Sequence, residues 1–542
     1  MEMLDLNEFP GIPPLVQDTL AGTARIDFGF RTYPDPAAWI EQSKAESEQN
    51  RPIAGIVEAI RAQYGPLPIP DIVSQNLVSL SQPGTMTVVT GQQVGLGGGP
   101  LLTLYKAMTT VALARRLETG TGVRTVPIFW MATSDHNLVE TAQSHWLDIN
   151  NNLTSYYSTI QGNRTPVGSL PLGAIADEFV NRITKDIPES EFSKHYLDLL
   201  CEAYTPDKTF AQAFRQLGNE LLGPYGLIFL DPDDVQLKRL SAPFMKDAVA
   251  EVDDRLERII ERSKMIQASG YKTQVSVKSG RTSLFLLEDG QRRKIVLEEK
   301  AIQGHTDIKL SRSELARIAA ETPENLSAGV TLRPILQSWM LPVGAYIAGP
   351  HEMAYWSQLK DAFSPLGIAK PAVVHRASFT LIEPKVRRWL DKYDLKPNDM
   401  FMGYDKLSEQ VIADIGDDES EHIFTTMQND LNSHERVLTD LTRGYDFSGI
   451  ERSVDASFRK INFHVDKLRN TFSQRAKSRH SVLLKHVEQL SNHIFPGGTA
   501  QERVISPIYY LARYGNSLLD GLSENALSAV GRHSIVDLKE WQ

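Results

Sequence analysis

The sequence predicts an α/β protein: a parallel sheet with crossover helices over about the first two thirds of the chain, followed by an antiparallel helical coiled coil. Two observations carry this. Short apolar runs alternate with helical patterns up to about residue 384, as strand–helix–strand crossovers require. Beyond Glu383 the pattern changes. Apolar residues at Val454, Phe458, Ile461, Val465, Leu468 and Phe472 step by fours and threes, and the spacing resumes at Leu483, Val487, Leu490 and Ile494, which is a coiled-coil seam. The expected division is a core over residues 1–384, a helical domain over 385–500 and a segment, 501–542, that returns to the core.

Taken in order, the expected strands are TMTVVT ending at Thr90, TVPIFWMAT ending at Thr133, GLIFLDP ending near Pro232, AYIAGP ending at Pro350 and PAVVHR ending at Arg376. Four of them run into residues able to do chemistry, and in open α/β sheets such endings gather at one crevice. Two excursions interrupt the alternation. Residues 151–215 begin with polar loops (DINNNLTSYYSTIQGNRTPVG) and continue as helices. Residues 250–330 hold a long helix and then KTQVSV, TSLFLLEDG and RRKIVLEE, which read as a small antiparallel meander. For the coiled coil, a helix over roughly 418–442 offers Ile423, Met427, Leu431, Leu438 and Leu441 to the seam, with RGYDFSG as the turn. An intermolecular pairing fits the same pattern.

A chain of 542 residues, 41% hydrophobic and 23% charged, is large enough for a substantial core and more than one domain. A formal charge of -10 gives no global basic field for nucleic acid or anionic lipid. The helix over 451–494 carries nine basic residues against four acidic ones, which reads as a solvated face rather than a docking surface. MEMLDLNEFPGIPPLV lacks the basic region and apolar run of an export signal, and no apolar stretch reaches membrane-spanning length, so the cytoplasm is expected. Cys201 is the only cysteine. It excludes an intrachain disulfide and a zinc site built from several thiolates, and its setting, YLDLLCEAY, suggests core packing.

Four segments carry candidate chemistry. VVTGQQVGLGGGPLLTLYKA, residues 88–107, places five glycines within nine residues before a helix opening near Pro100. Backbone N–H groups at such a turn attract anions. No Gly-Lys-Ser/Thr follows, and the spacing misses the dinucleotide fingerprint. Gln92 and Gln93 offer amides to a polar ligand, while Lys106 lies about one turn too deep to reach a phosphate directly; a close-packed turn is the alternative. FWMATSDHNLVE sets Asp135 beside His136, with Glu140 four residues on. On a helix, His136 and Glu140 share a face fit for general-base work or a metal ion, and Ser134 or Asp135 as a helix cap explains the segment equally well. RPILQSWMLPVGAYIAGPHEMAYWSQLK places Arg333 and Gln337 before a strand and His351, Glu352, Tyr355 and Trp356 after it. A carboxylate with aromatics suits an amine or a sugar, though this spacing also packs cores. Arg376 suits bidentate pairing with a substrate carboxylate. In FPGGTAQERVISPIYYLARYG, Arg503 with Tyr509, Tyr510 and Tyr514 either clamps a nucleotide or packs the returning helix.

Together, TGQQVGLGGGPLLTLYKA, FWMATSDHNLVE, LRPILQSWMLPVGAYIAGPHEMAYW and FPGGTAQERVISPIYYLARYG, in this order over nearly the whole chain, resemble the bacillithiol biosynthesis cysteine-adding enzymes. The resemblance implies a Rossmann-type core related to class I synthetases, connecting-peptide insertions, a protruding coiled coil and a homodimer. It implies the last step in making a low-molecular-weight thiol, the joining of cysteine to the amine of glucosaminyl-malate. The implied site falls on Thr90 to Pro100, with Gln92, Gln93 and Gly95; on Asp135, His136 and Glu140; and on Glu352, Tyr355, Trp356 and Arg376, and Lys106 is added to it as an anion-binding candidate from the glycine turn's own reading. Two departures stand out: Ser134-Asp135-His136-Asn137 where members have Glu-Asp-His-Asp, and Gly349-Pro350-His351-Glu352 where they have Gly-Pro-Gly-Glu.

Amide formation from a free carboxylate needs activation, most simply as an acyl-adenylate from ATP with Mg²⁺, and His136 or a nearby carboxylate then deprotonates the amine. The synthetase ATP signatures are missing: SKMIQASGY, residues 263–271, lacks the second lysine of the Lys-Met-Ser-Lys-Ser loop. With one cysteine in the chain and no zinc expected, substrate cysteine must be selected otherwise. The rival reading is a non-catalytic nucleotide-binding scaffold that recruits the true ligase through its coiled coil.

Overall fold

The computed structural model describes residues 2–6, 8–31, 33–158, 160, 164–298, 307–414, 418–444, 450–479 and 481–541. They form two compact units, one of Met1–Ile382 with Ala500–Gln542 and one of Glu383–Thr499. At the centre of the first lies a parallel five-stranded sheet of β2 (Met86–Gln92), β3 (Thr125–Met131), β6 (Ile228–Leu230), β11 (Val343–Ala348) and β12 (Ala372–His375), in the order β12-β11-β2-β3-β6. These are the five strands expected from sequence. Every residue of β3 is buried. Phe129 and Met131 enter one core, with the helix Leu101–Thr121, and Val126, Ile128 and Trp130 enter the other, with the helices Ile53–Gln63 and Asp71–Leu80. A strand covered on both faces has no polar side, so its sequence is a continuous apolar run.

Smaller sheets surround this core. β1 (Glu2–Leu4) pairs antiparallel with β14 (His533–Asp537), which runs parallel to β13 (Phe379–Ile382). The segment DINNNLTSYY is not a polar loop: β4 (Gln143–Leu147) and β5 (Leu153–Tyr157) form a hairpin across it. Asn151, at φ 58, closes the turn in a conformation that asparagine tolerates better than most residues. The second excursion is also corrected. β7 (Arg281–Glu288) and β8 (Gln291–Leu297) are antiparallel, but β9 (Ile308–Leu310) joins β8 in parallel and β10 (Leu326–Ala328) takes the edge expected for KTQVSV, which forms no strand. Cys201 is exposed rather than in the core. On its helix, Ser193–Ala203, the buried positions are Ser193, Tyr196, Leu197, Leu200 and Ala203.

In the second unit the helices Asp418–Gly444 and Ile450–Arg479 pack against each other, and Ser481–Ile494 continues the chain. Phe424 meets Phe472 edge-on at 5.5 Å, and Gln428 Nε2 donates to Asn462 Oδ1 at 2.9 Å, so the pair is antiparallel. The packed row includes Phe424 and Phe458, both buried. Ile423, Leu438, Leu441, Ile461, Leu468 and Phe472, expected in the seam, are exposed. Residues 445–449 of the expected turn RGYDFSG lie outside the described residues.

Candidate active site

The order of the central sheet reverses at β2: β3 and β6 lie to one side, β11 and β12 to the other. Loops leaving the carboxyl ends of β2 and β11 therefore diverge, which is where open α/β sheets bind ligands. A cavity of about 480 Å³ opens there, lined by Gly91–Gln93 at the end of β2 and Gly349–Glu352 after β11.

The glycine turn reaches this cavity only at its two ends. Gly97, Gly98 and Gly99 all have positive φ, and a Cβ on Gly97 would lie 3.1 Å from Phe179 and from Ser506 Oγ. Tyr204 Oη accepts from Gly98 N at 3.4 Å and donates to the Gly95 carbonyl at 3.1 Å. The middle of the turn is thus packed against protein, with Gly95 off the cavity wall, while Gly99 and Pro100 line it. Thr90 is buried, and its hydroxyl donates to the Ile347 carbonyl at 2.9 Å, tying β2 to β11 rather than facing a ligand.

Lys106, expected to lie too deep, folds back from its helix to the wall. Its ammonium donates to the Gly91 carbonyl and to Gln92 Oε1, both at 2.8 Å, and pairs with Glu352. Burial lowers its pKa and Glu352 opposes that. Glu352 also accepts from Tyr346 Oη at 3.0 Å and from Gly349 N at 2.8 Å. Gln92 Nε2 donates at 3.3 Å to Glu140, which also accepts from Asn137 Nδ2 at 2.8 Å. Burial raises the pKa of Glu140, Lys106 opposes the rise, and Asp135 and Glu352 add to it.

Asp135 turns away from the cavity wall into a clamp. It accepts from Gln93 Nε2 at 3.0 Å and pairs with Arg333 and, at 3.2 Å, with Arg292, whose guanidinium lies 3.7 Å over the Phe285 ring. Although burial pushes its carboxyl up, the two arginines hold it below its ordinary value. Arg376 is fully buried, and its fork is taken by Glu502 through bonds of 2.5 and 2.8 Å. The expected bidentate grip on a substrate carboxylate is therefore not available. What Arg376 offers the cavity is Nε, which would lie 3.6 Å from a Cβ on Gly349.

Among the described residues, five buried atoms on the cavity lining have no hydrogen-bond partner: Gln93 Oε1, Gln337 Oε1, Trp130 Nε1, Ser144 Oγ and Arg376 Nε. Leaving such atoms unmet costs about 1–3 kcal/mol each, so a wall with acceptors and donors waiting together suits a polar ligand. Arg503 also lines the cavity, and no hydrogen bond or ion pair of its guanidinium occurs among the described residues.

The sequence matches the family model "Bacillithiol biosynthesis BshC, N-terminal Rossmann-like domain" over residues 1–377 and "Bacillithiol biosynthesis BshC, C-terminal coiled-coil domain" over residues 379–538. The chain belongs to the BshC family. Relatives named "Putative cysteine ligase BshC" include one from Koribacter versatilis, 34% identical over 97% of both chains. Another, from Salinibacter ruber, is 32% identical over 85% of this chain and 84% of its own. A third, from Bacillus cereus, is 28% identical over 86% of this chain and 87% of its own. Among solved structures, a "putative arginyl t-RNA synthetase" from Campylobacter jejuni covers 86% of this chain and 99% of its own at 10% identity and a TM-score of 0.22, a likeness from which nothing is argued.

Of the site residues expected from the sequence, the structure brings Gln92, Gln93, Lys106, Glu140, Glu352, Tyr355, Arg376 and Arg503 to one cavity. His136 is not on its wall. The short helix starts only at Leu138, so His136 and Glu140 share no helical face, and the imidazole lies near Phe285, with centroids 6.5 Å apart. Neither Ser134 nor Asp135 caps that helix; its N-cap is Asn137. Trp356 is buried against Phe363 and Tyr346, and Tyr509, Tyr510 and Tyr514 are core residues, so none of the three tyrosines clamps a nucleotide here. The sequence reading missed Glu502, Trp130, Ser144 and His145. The last two sit on β4, whose alternation was hidden by the asparagine run beside it. Among the described residues no three His, Cys, Asp or Glu gather as a metal-ligand set, and no helix is long and apolar enough to cross a membrane.

Proposed function

We propose that this chain is an ATP-dependent cysteine ligase, joining L-cysteine to the glucosamine amine of glucosaminyl-malate in the last step of bacillithiol biosynthesis, in the cytoplasm. One observation carries the reading: the switch-point cavity combines unpartnered buried donors and acceptors with charges of both signs. Ligation needs both signs. Arg503 and Arg376 Nε suit the phosphates of ATP and the carboxylates of the malate moiety, Lys106 adds positive charge behind them, and Glu352 and Glu140 suit an ammonium group. Activation supplies a leaving group on the cysteine carboxyl carbon; the protein holds the partners in line and shields them from water. Mg²⁺ enters with the phosphates in this reading. The names of the relatives and the match of both family domains support the cysteine substrate. A homodimer belongs to the same reading, supported by the exposed apolar row of the coiled coil and testable by sedimentation equilibrium.

The test is to incubate the protein with ATP, Mg²⁺, cysteine and glucosaminyl-malate and to follow thiol product, AMP and ADP by mass spectrometry. Product with AMP is expected, and Arg503→Ala should lower turnover by about 10-fold or more, the scale of one charge-assisted contact. Product with ADP would replace the adenylate by an acyl-phosphate. No product from folded protein that still binds ATP would overturn the ligase in favour of a recruiting scaffold.

A further inference from the structure

We infer that His145, and not His136, is the general base that takes the proton from the attacking amine; this rests on the ligase reading. Two histidines line the cavity, His145 on β4 and His351 after β11. His145 Nδ1 lies 2.8 Å from Ser155 Oγ, directly opposite in the β4–β5 register. With Nδ1–H donating to that hydroxyl, the ring is fixed and the Nε2 lone pair is left for a proton. No partner of Nε2 occurs among the described residues. The backbone of His145 is clamped from the other side as well: its carbonyl accepts from Ser506 N at 2.8 Å, next to the segment that carries Arg503. The base is thus built between the β4–β5 hairpin and Ile505–Ser506, on the cavity wall that Arg503 also lines.

The other candidates lack one feature each. His351 is exposed, and no hydrogen bond orients its ring among the described residues. Glu140 accepts from two amides and sits in the field of Lys106. Around His145 the titratable and charged groups are Tyr157 on β5, whose ring meets it edge-on at 5.5 Å, with Glu140 and Arg503 on the same cavity. Burial is what lowers its pKa, which keeps the imidazole neutral at pH 7 and able to accept. In the step, the amine nitrogen attacks the carbonyl carbon of cysteinyl-adenylate. The C–N bond forms, the bond from that carbon to the phosphate oxygen breaks, and AMP leaves with the electron pair. One N–H proton passes to His145 Nε2 and then to solvent.

Hydroxylamine separates activation from amine transfer, because this strong nucleophile needs no base to capture activated cysteine. With full-length protein, ATP and cysteine, His145→Gln should form cysteine hydroxamate at the rate of the unsubstituted protein while condensation with glucosaminyl-malate falls about 100-fold or more. The acid limb of the condensation pH–rate profile should disappear with it. Ser155→Ala, which keeps the imidazole, should retain activation and move that limb. Full condensation by His145→Gln, or equal loss of both reactions with the fold intact by circular dichroism, overturns the assignment. Loss of the acid limb in Glu140→Gln alone transfers the role to Glu140 and likewise overturns it. Absence of hydroxamate and condensation in the unsubstituted protein overturns the ligase reading, a failure recognisable because it precedes any substitution.

Discussion

Lys106 organises the polar wall of the cavity. It is 2% exposed and joins two elements, holding the Gly91 carbonyl and the Gln92 amide at the end of β2 and the Glu352 carboxylate after β11. A buried ammonium is costly unless its donors are met, and these three meet them. Lys106→Met should therefore leave Glu352 with its Tyr346 and Gly349 donors but no cation, and release Gln92 from its position over Glu140. The expected outcome is a fall in turnover of about 100-fold, the scale for removing one preorganised charge-stabilising group, measured in the product assay, with a lower melting temperature. Lys106→Arg should not rescue it, because a planar fork does not replace a compact ammonium with three donors. Sequence made Lys106 visible as a residue type but not as a reach. Spacing along a helix says how far a Cα lies from the turn, whereas a long side chain running back toward its helix N-terminus recovers that distance.

At the scale of elements, the glycine turn and the helix after it make opposite demands on the same residue type. Gly97 is left-handed at φ 62 and a Cβ would press on Phe179 and Ser506, whereas Gly120, near the end of the helix Leu101–Thr121, has nothing within 4 Å of such an atom. Gly97→Ala should cost about 1–2 kcal/mol from backbone conformation alone, and Gly120→Ala should stabilise by about 0.5–1 kcal/mol, both read by urea unfolding. The same contrast explains what was legible. β2, β3, β6, β11 and β12 could be read because a strand buried on both faces leaves one unmistakable apolar run. β4 and β9 could not, since an edge or hairpin strand is decided by partners far away in sequence. In the coiled coil the packed row mixes apolar and polar residues, Gln428 bonding to Asn462 beside Phe424 and Phe458, so apolar periodicity alone does not mark it. The chain uses the row with Phe424 and Phe458 and leaves Ile461 and Leu468 outside. For the site, the switch point followed from the strand endings. The destination of His136 did not, because it sits in a turn before the helix that starts only at Leu138, where spacing along a helix says nothing of direction.

Across the larger unit as a whole, buried histidines couple folding to pH. His533 is fully buried, stacked at 3.7 Å on Phe9, with its two nitrogens hydrogen-bonded to the hydroxyls of Ser378 and Thr380. Burial depresses its pKa to about 4, and that of His375 to about 3. Both are neutral in the folded protein at pH 7, while in the unfolded chain each takes a proton near pH 6.5. The unfolded state therefore binds more protons between pH 6.5 and these depressed values, so stability is constant above about pH 6.5 and falls as pH drops below it, approaching about 1.4 kcal/mol per pH unit for each histidine. Glu502, held down to about 2 by Arg376 against the opposing effect of burial, adds the same sign only below the ordinary carboxylate range. The window from pH 6.5 to 5 lies above the range in which Glu502 titrates. Thermal unfolding followed by circular dichroism should show a melting temperature that is flat from pH 8 to 7 and declines from pH 6.5 to 5. His533→Gln, which keeps a polar side chain beside Ser378 and cannot titrate, should reduce that slope by roughly half of the two-histidine effect, whatever its cost at pH 8. An unchanged slope in His533→Gln would mean that this histidine is not held neutral by the fold, and that the strand pair β13–β14 around it opens to water well before global unfolding.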